Sequence, residues 1–297
     1  MKSMLNFITS CATKALLYEV SASPKPGLVD RFGNGAHKDM DYFTFVDSAL
    51  SLEETFFDCA YTGAHFQGDD LRDLFVQLRP IGIQGEQKMY AATKGVNTHK
   101  GAIFSLGILC AAAGFILKES GEAFPHISVK SLCDITKQMT LELTDELVEV
   151  QETVASEKLR PLTSGEKLYA EKGVLGIRGE VASGFASVTT YGLPVLKKLT
   201  QERKYSKNDV MVQILIELLA HVEDTNVLAR FGEQGLELVR EYTHKALQRG
   251  GVTSSDGWSI INEMDQVFIE KNISPGGTAD LLAVTLMLHF LSGNGQL

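Results

Sequence analysis

The stretch Gly95-Val96-Asn97-Thr98-His99-Lys100-Gly101 is followed at once by Ala102, Ile103, Phe104, Leu106, Ile108, Leu109, Cys110 and the run Ala111 to Ala113. Few polar residues interrupt that run before Lys118, so it predicts a buried helix rather than a surface one. Asn97 or Thr98 is the expected N-cap. His99 and Lys100 then bring two cationic groups to the positive end of the helix dipole, where an anion is favoured and a cation is not. Two accounts stay open: an ordinary cap beside a solvated lysine, or a phosphate or carboxylate seated at the entrance. A Walker A loop is excluded, because Lys100 precedes Gly101 instead of following a glycine and preceding Ser or Thr.

The chain around this stretch is helical in character. It has 297 residues, 44% of them apolar, and only 7 prolines, several of them at motif edges (Pro24, Pro26, Pro161, Pro194, Pro275). Long segments rich in Leu, Ala, Glu and Lys lie between those prolines, which predicts an all-α fold. No repeat, low-complexity tract or linker divides the chain, so residues 1–297 are expected to form a single compact multi-helix domain. The charge balance of 28 basic against 37 acidic residues, a net −9, excludes a nucleic-acid-coating surface. Four scattered cysteines (Cys11, Cys59, Cys110, Cys133) form no CxxC pair and point to a reducing, cytoplasmic compartment. No signal-peptide pattern opens the chain. The longest apolar stretches, 102–117 and 281–291, are too short or too polar at their edges for a membrane span. The oligomeric state is left open.

Helical periodicity runs over residues 4–20, 42–60, 69–78, 83–94, 102–118, 127–155, 181–190, 209–222, 233–249, 257–271 and 281–291. Pro80 is expected to stop the third segment, 69–78, and Gly192 and Pro194 to break the stretch after residue 190. Residues 156–180 read as loop. Glu53 and Glu54 fall mid-helix on a solvated face, and His65, His126, His244 and His289 are expected to be structural. The segment Ser21 to Asp30, with Pro24 and Pro26 one residue apart, cannot be helix. The loop continues through Gly33, Asn34, Gly35, His37 and Asp39, and so long an irregular stretch is usually functional.

Five loop-to-helix junctions are polar and glycine-rich against this apolar background: 24–41, 95–101, 176–184, 223–226 and 274–280. Their cations are Lys25, His37, His99, Lys100 and Arg178. Their carboxylates are Asp30, Asp39, Glu180, Glu223, Asp224 and Asp280. Both signs gathered at helix ends suit a magnesium–polyphosphate site, in which carboxylates and water hold Mg2+ while Lys, Arg and helix amides hold phosphate oxygens. Glu223 and Asp224 would be disfavoured at a helix C-terminus without a metal or substrate to meet.

Taken in order, the motifs Pro24-Lys25-Pro26-Gly27-Leu28-Val29-Asp30 with Gly35-Ala36-His37-Lys38-Asp39-Met40, Gly95 to Gly101, Gly176-Ile177-Arg178-Gly179-Glu180, Glu223-Asp224-Thr225-Asn226 and Pro275-Gly276-Gly277-Thr278-Ala279-Asp280 resemble the triphosphoribosyl-dephospho-CoA synthases over residues 11–292. The resemblance implies an all-α enzyme that converts ATP and 3′-dephospho-CoA to 2′-(5″-triphosphoribosyl)-3′-dephospho-CoA and adenine. That product is the prosthetic-group precursor for the acyl carrier subunit of citrate lyase or malonate decarboxylase, and a downstream prosthetic-group transferase would attach it. On this basis Lys25, Asn97, Thr98, His99, Lys100, Arg178, Gly276 and Gly277 are expected at the ATP phosphates. Asp39, Glu223, Asp224 and Asp280 are expected at the metal. His37, Asp39, Glu180 and Glu223 are expected in catalysis, with His37 moving the proton and Asp30 as a reserve carboxylate. Two other classes compete: a magnesium-dependent N-glycoside hydrolase of the ADP-ribosyl type, and a non-catalytic nucleotide-binding accessory protein.

Overall fold

The computed structural model describes residues 1–121, 127–144, 164–293 and 297, and among these residues every regular element is helical. The helices are α1 (Lys2–Ser21), α2 (Tyr42–Ser51), α3 (Glu53–His65), α4 (Leu71–Ala92), α5 (Lys100–Ser120), α6 (Val129–Met139), α7 (Ser164–Lys172), α8 (Gly176–Ala182), α9 (Leu193–Glu202), α10 (Lys207–His221), α11 (Thr225–Gln248), α12 (Ser255–Glu270) and α13 (Gly276–Leu291). A π-helical turn, Val188–Gly192, precedes α9, and a short 3-10 turn, Gly251–Thr253, precedes α12.

The expected buried helix is the middle of the molecule. α5 is buried from Ala102 to Gly114 except at Phe104, and it contacts α1, α3, α4, α6 and α13. By length and composition it could cross a membrane, but 72% of its most apolar window is covered by the rest of the protein. α13 and α10 are its counterparts on the other side of the core, each apolar nearly all round. The α3–α5 contact is the closest of these. A Cβ on Gly63 would lie 2.0 Å from the Ala111 carbonyl oxygen, and one on Gly114 would lie 2.0 Å from that of Ala60. The two backbones touch because both lack side chains there.

Several boundaries differ from the sequence expectation, each for a physical reason. The segment 42–60 is two helices that meet at Leu52. Glu53 and Glu54 therefore open α3, where acids suit the helix dipole, and Glu54 meets Lys88 at 2.8 Å. Pro80 does not stop a helix but lies inside α4. It and Val76, four residues earlier, both face solvent, so water can reach the carbonyl that the missing N–H leaves open. α6 ends at Met139, and residues 140–144 form a turn instead of continuing the expected helix. Residues 145–155 of that expectation lie outside the described residues, as do residues 156–163 and His126. Residues 164–172 and 176–182 are helical rather than loop. α8 ends at Ala182, and helical backbone then runs from 186 to 202 through the π turn, so that Pro194 sits in the first turn of α9, where its ring is tolerated. The helix expected over 233–249 is the part of α11 beyond the non-helical Gly232, and a first stretch from Thr225 precedes it, capped by Asp224, which accepts from the Asn226 and Val227 N–H groups. Glu223-Asp224 thus precedes a helix N-terminus, and the expected clash with a C-terminal dipole does not arise.

Gly114→Ala is expected to force α3 and α5 apart and to lower stability by about 2 kcal/mol, the scale of overpacking a tight core. The urea midpoint of the variant against the parent checks this.

Candidate active site

All five polar junctions open into one cavity of about 1740 Å3. Single ligand pockets usually hold roughly 300–1,000 Å3, so this volume suits two bulky substrates. Lys25, His37, Asp39, Asn97, Thr98, His99, Lys100, Arg178, Glu180, Glu223, Asp224, Gly276, Gly277 and Asp280 all line it, and Asp30 does not. Asp30 closes its own loop instead, accepting from Ser23 Oγ at 2.7 Å and from the Phe32 and Gly33 N–H groups at 2.8 and 3.0 Å.

The inner wall is a buried charge cluster. Lys25 Nζ is bonded to Glu19 at the end of α1, the two side chains being 1% and 3% exposed. Burial raises the Glu19 carboxyl above its ordinary value, and Lys25 pulls it back. Glu19 was not a sequence candidate: its spacing on α1 is that of any polar residue ending an amphipathic helix. Asp280, near the start of α13, crosses to the start of α5. A Cβ on Gly101 would lie 2.1 Å from its Oδ2, and the Ala102 N–H donates to its carboxylate. The α5 entrance is therefore occupied by this acid side chain. Burial, then Glu19 and Asp224, hold the Asp280 carboxyl well above the usual range.

His99 differs from the cation expected of it. It is the N-cap of α5 and is 2% exposed. Its Nδ1 shares a hydrogen with Ser48 Oγ at 2.7 Å, its ring meets the Phe45 edge, and Nε2 has no hydrogen-bond partner among the described residues. Burial, with the Lys25 charge second, lowers it to about 3, so it is neutral near pH 7. Thr98 donates to Ser48 Oγ at 2.7 Å, and Asn97 Oδ1 accepts from the Lys100 N–H at 3.2 Å. The N-cap is therefore His99 and not the expected Asn97 or Thr98, with Asn97 accepting from the first helical N–H. Lys100 Nζ pairs with Glu86 at 2.8 Å.

Asp224 is 1% exposed. Its Oδ1 accepts from the Asn226 and Val227 N–H groups, and its Oδ2 from the Thr278 N–H and Oγ1 at 2.7 and 2.9 Å. Four donors use the lone pairs of a carboxylate, so Asp224 pins the starts of α11 and α13 together rather than facing a metal. Burial nevertheless raises it above the ordinary value. Glu223 pairs outward with Arg240 at 2.9 Å. Asp39 is 64% exposed, with Oδ1 3.7 Å from His37 Nδ1. Among the described residues no three His, Cys, Asp or Glu side chains gather as a metal group, so the expected quartet Asp39, Glu223, Asp224 and Asp280 is not a preformed magnesium cage.

His37 is held from both sides: its Nε2 meets Ser274 Oγ at 2.7 Å opposite the Asp39 carboxylate. Burial lowers it below the usual histidine value, Asp39 opposing and Arg230 assisting. Glu180 accepts from the Ser187 hydroxyl and from its N–H at 3.3 Å, while Arg178 Nη2 lies 3.7 Å from the buried Glu166. The four cysteines are free and buried.

The profile of the ATP:dephospho-CoA triphosphoribosyl transferases matches residues 6–297. The chain belongs to this family. It is a transferase, similar at 37% identity to a probable 2-(5″-triphosphoribosyl)-3′-dephosphocoenzyme-A synthase of Streptococcus equi subsp. equi, with 98% of both chains covered. A protein of the same description from Lactiplantibacillus plantarum is 40% identical over 95% of both chains. The 2-(5″-triphosphoribosyl)-3′-dephosphocoenzyme-A synthase of Pectobacterium atrosepticum is 41% identical over 93% of this chain and 86% of its own. No solved structure matches the transferase.

Two outcomes follow from the buried cluster. Lys25→Ala leaves the Glu19 charge buried and alone, and is expected to cost about 3–5 kcal/mol. The Lys25→Met, Glu19→Leu double variant removes both charges and should recover most of that loss in a denaturant titration. The depressed His99 means that the unfolded chain takes up a proton first as pH falls, so its contribution is whole above about pH 6.5 and is lost on acidification below it. Between pH 7 and pH 5 the parent should lose about 2 kcal/mol more than His99→Gln, read from urea midpoints at the two pH values.

Proposed function

We propose that the protein transfers the 5-triphosphoribosyl group of ATP to the 2′-hydroxyl of 3′-dephospho-CoA and releases adenine. The observation that carries this reading is the convergence of all five family motifs on one cavity roomy enough for a nucleotide and a dephospho-CoA side by side. In the reaction the bond from ribose C1 to adenine N9 breaks and a bond from C1 to the acceptor O2′ forms, through an oxocarbenium-like state as in glycoside cleavage. His37 takes the proton of the attacking hydroxyl. Its lowered value keeps it neutral, and Ser274 and Asp39 hold its ring at the wall. Asp280, whose carboxyl burial and the neighbouring Glu19 hold well above the usual range, supplies the proton that departing adenine needs. The Glu19 carboxylate behind it lends negative potential toward C1.

Magnesium enters this reading with ATP, as part of the substrate. Mg2+ usually keeps several waters and takes one or two carboxylates beside phosphate oxygens, and the exposed Asp39 and Glu223 offer such contacts at the cavity mouth. The residues 1–297 act as one unit, in the cytoplasm where both substrates are made. The product serves an acyl carrier subunit of citrate lyase or malonate decarboxylase through a separate prosthetic-group transferase.

One incubation with ATP, Mg2+ and dephospho-CoA, followed by mass, tests the reading. The expected product is dephospho-CoA heavier by the triphosphoribosyl group, with one adenine freed per product. Ribosyl product in the absence of dephospho-CoA would indicate a hydrolase, and ATP binding without turnover an accessory protein. His37→Ala should lower kcat by about a hundred- to ten-thousandfold while leaving the thermal melt near that of the parent.

A further inference from the structure

The cavity has six Lys and Arg side chains in its wall: Lys25, Lys38, Lys100, Lys172, Arg178 and Arg230. Four are already matched by the protein's own acids. Lys25 is bonded to Glu19, Lys100 to Glu86 at 2.8 Å, Lys172 to Glu233 at 2.9 Å, and Arg178 lies 3.7 Å from Glu166. Lys38 and Arg230 have no carboxylate within ion-pair distance among the described residues, and both are exposed to the cavity. They belong to one neighbourhood. Lys38 follows His37 in the chain, and the Arg230 charge is among the influences that lower His37.

The local folding places them there. Arg230 is one turn beyond Asn226 on α11, so the two share a helix face, and Asn226 lies against Gly276 at the start of α13. Two residues after Arg230, Gly232 takes φ 64° and ψ −158°, a backbone region open to glycine alone. That break sets off the first turns of α11 from the rest of the helix and lets the turn carrying Arg230 lean over the cavity. Lys38 lines the same cavity from the loop that ends at Asp41, the cap of α2.

We propose that Lys38 and Arg230 form the polyphosphate-binding site of this cavity. The proposal rests on the transferase reading above, but it moves the anion away from the Gly95–Gly101 entrance, where Asp280 already fills the helix N-terminus and Lys100 already holds Glu86. A polyphosphate bound there gains two unspent charges, one of them a guanidinium suited to a two-oxygen grip, without displacing any carboxylate of the protein. It also sets the chain of phosphates beside His37, so that an attached ribose reaches inward toward Asp280 and Glu19.

The test is calorimetric titration with inorganic tripolyphosphate, with neither dephospho-CoA nor turnover needed. Lys38→Ala and Arg230→Ala should each weaken binding about tenfold or more, as loss of a charge-assisted contact does, with unchanged melting because both side chains are exposed. Lys100→Ala should weaken it by less than about threefold. Tripolyphosphate that fails to bind the parent at millimolar concentration, or binding that depends on Lys100 and not on Arg230 or Lys38, overturns the site. Steady-state kinetics of Arg230→Ala identify the source of the phosphates: a raised KM for ATP marks the triphosphate, a raised KM for dephospho-CoA marks its diphosphate, and no change in either also overturns the proposal. Arg230-dependent tripolyphosphate binding with no triphosphoribosyl product would sink the transferase reading and keep the site. Product formed with Arg230-independent binding does the reverse.

Discussion

The Asp280 carboxylate seated at the first turn of α5, against the bare Cα of Gly101, ties the two most apolar helices of the core together at their polar ends. Both helices are buried nearly throughout, so packing alone would let them slide along each other. An acid side chain on a helix N-terminus is directional, with the Ala102 N–H donating to it. Gly101 is needed because any side chain there would push the carboxylate out. Burial, with Glu19 and Asp224 beside it, disfavours a charge there and holds the Asp280 carboxyl well above the usual range, with the Ala102 N–H and Lys25 opposing. The cluster that registers the helices is thereby the cluster that gives the cavity its chemistry.

Asp224 performs a related service one step away. By spending both oxygens on the first turns of α11 and α13, it brings three motif junctions to one wall, since α13 also carries Asp280 and its preceding loop carries Ser274, the partner of His37. An acid that looks like a metal ligand in the sequence can be worth more as a fastener. The difference is visible only when its donors are named, because a carboxylate with four donors has no lone pair left for a cation.

Much of the fold was legible from apolar period and from glycine and proline placement: α1, α5, α10 and α13 fall close to where the pattern puts them. What the pattern missed were junctions decided by tertiary partners. α4 runs through Pro80 because that side faces water, and an extra stretch capped by Asp224 precedes the part of α11 expected from 233. The site was legible as a set of polar helix starts, since such starts stand out against apolar helices. Which of them face each other was not legible, and neither was Glu19, whose spacing on α1 is ordinary and whose importance comes wholly from Lys25 across the loop. His99 shows the same limit from the other side. Its place in the motif suggested a cation, while burial decides its charge.

A protein of net charge −9 that handles a polyphosphate has to solve a problem of sign. Spreading its cations evenly would leave none strong enough to matter, because each would find an acid nearby and be cancelled. Here the paired cations do structural work: Lys25 steadies the floor, Lys100 braces α5 against α4 through Glu86, and Lys172 joins α7 to α11 through Glu233. Cations left without an acid then carry more attraction for an incoming anion than any count of basic residues along the chain would indicate, since nothing inside the protein has to be released when the anion arrives. The lip at Lys38 and Arg230 is where this chain keeps such charges, and its nearness to His37 joins the grip on the phosphates to the group that takes the proton.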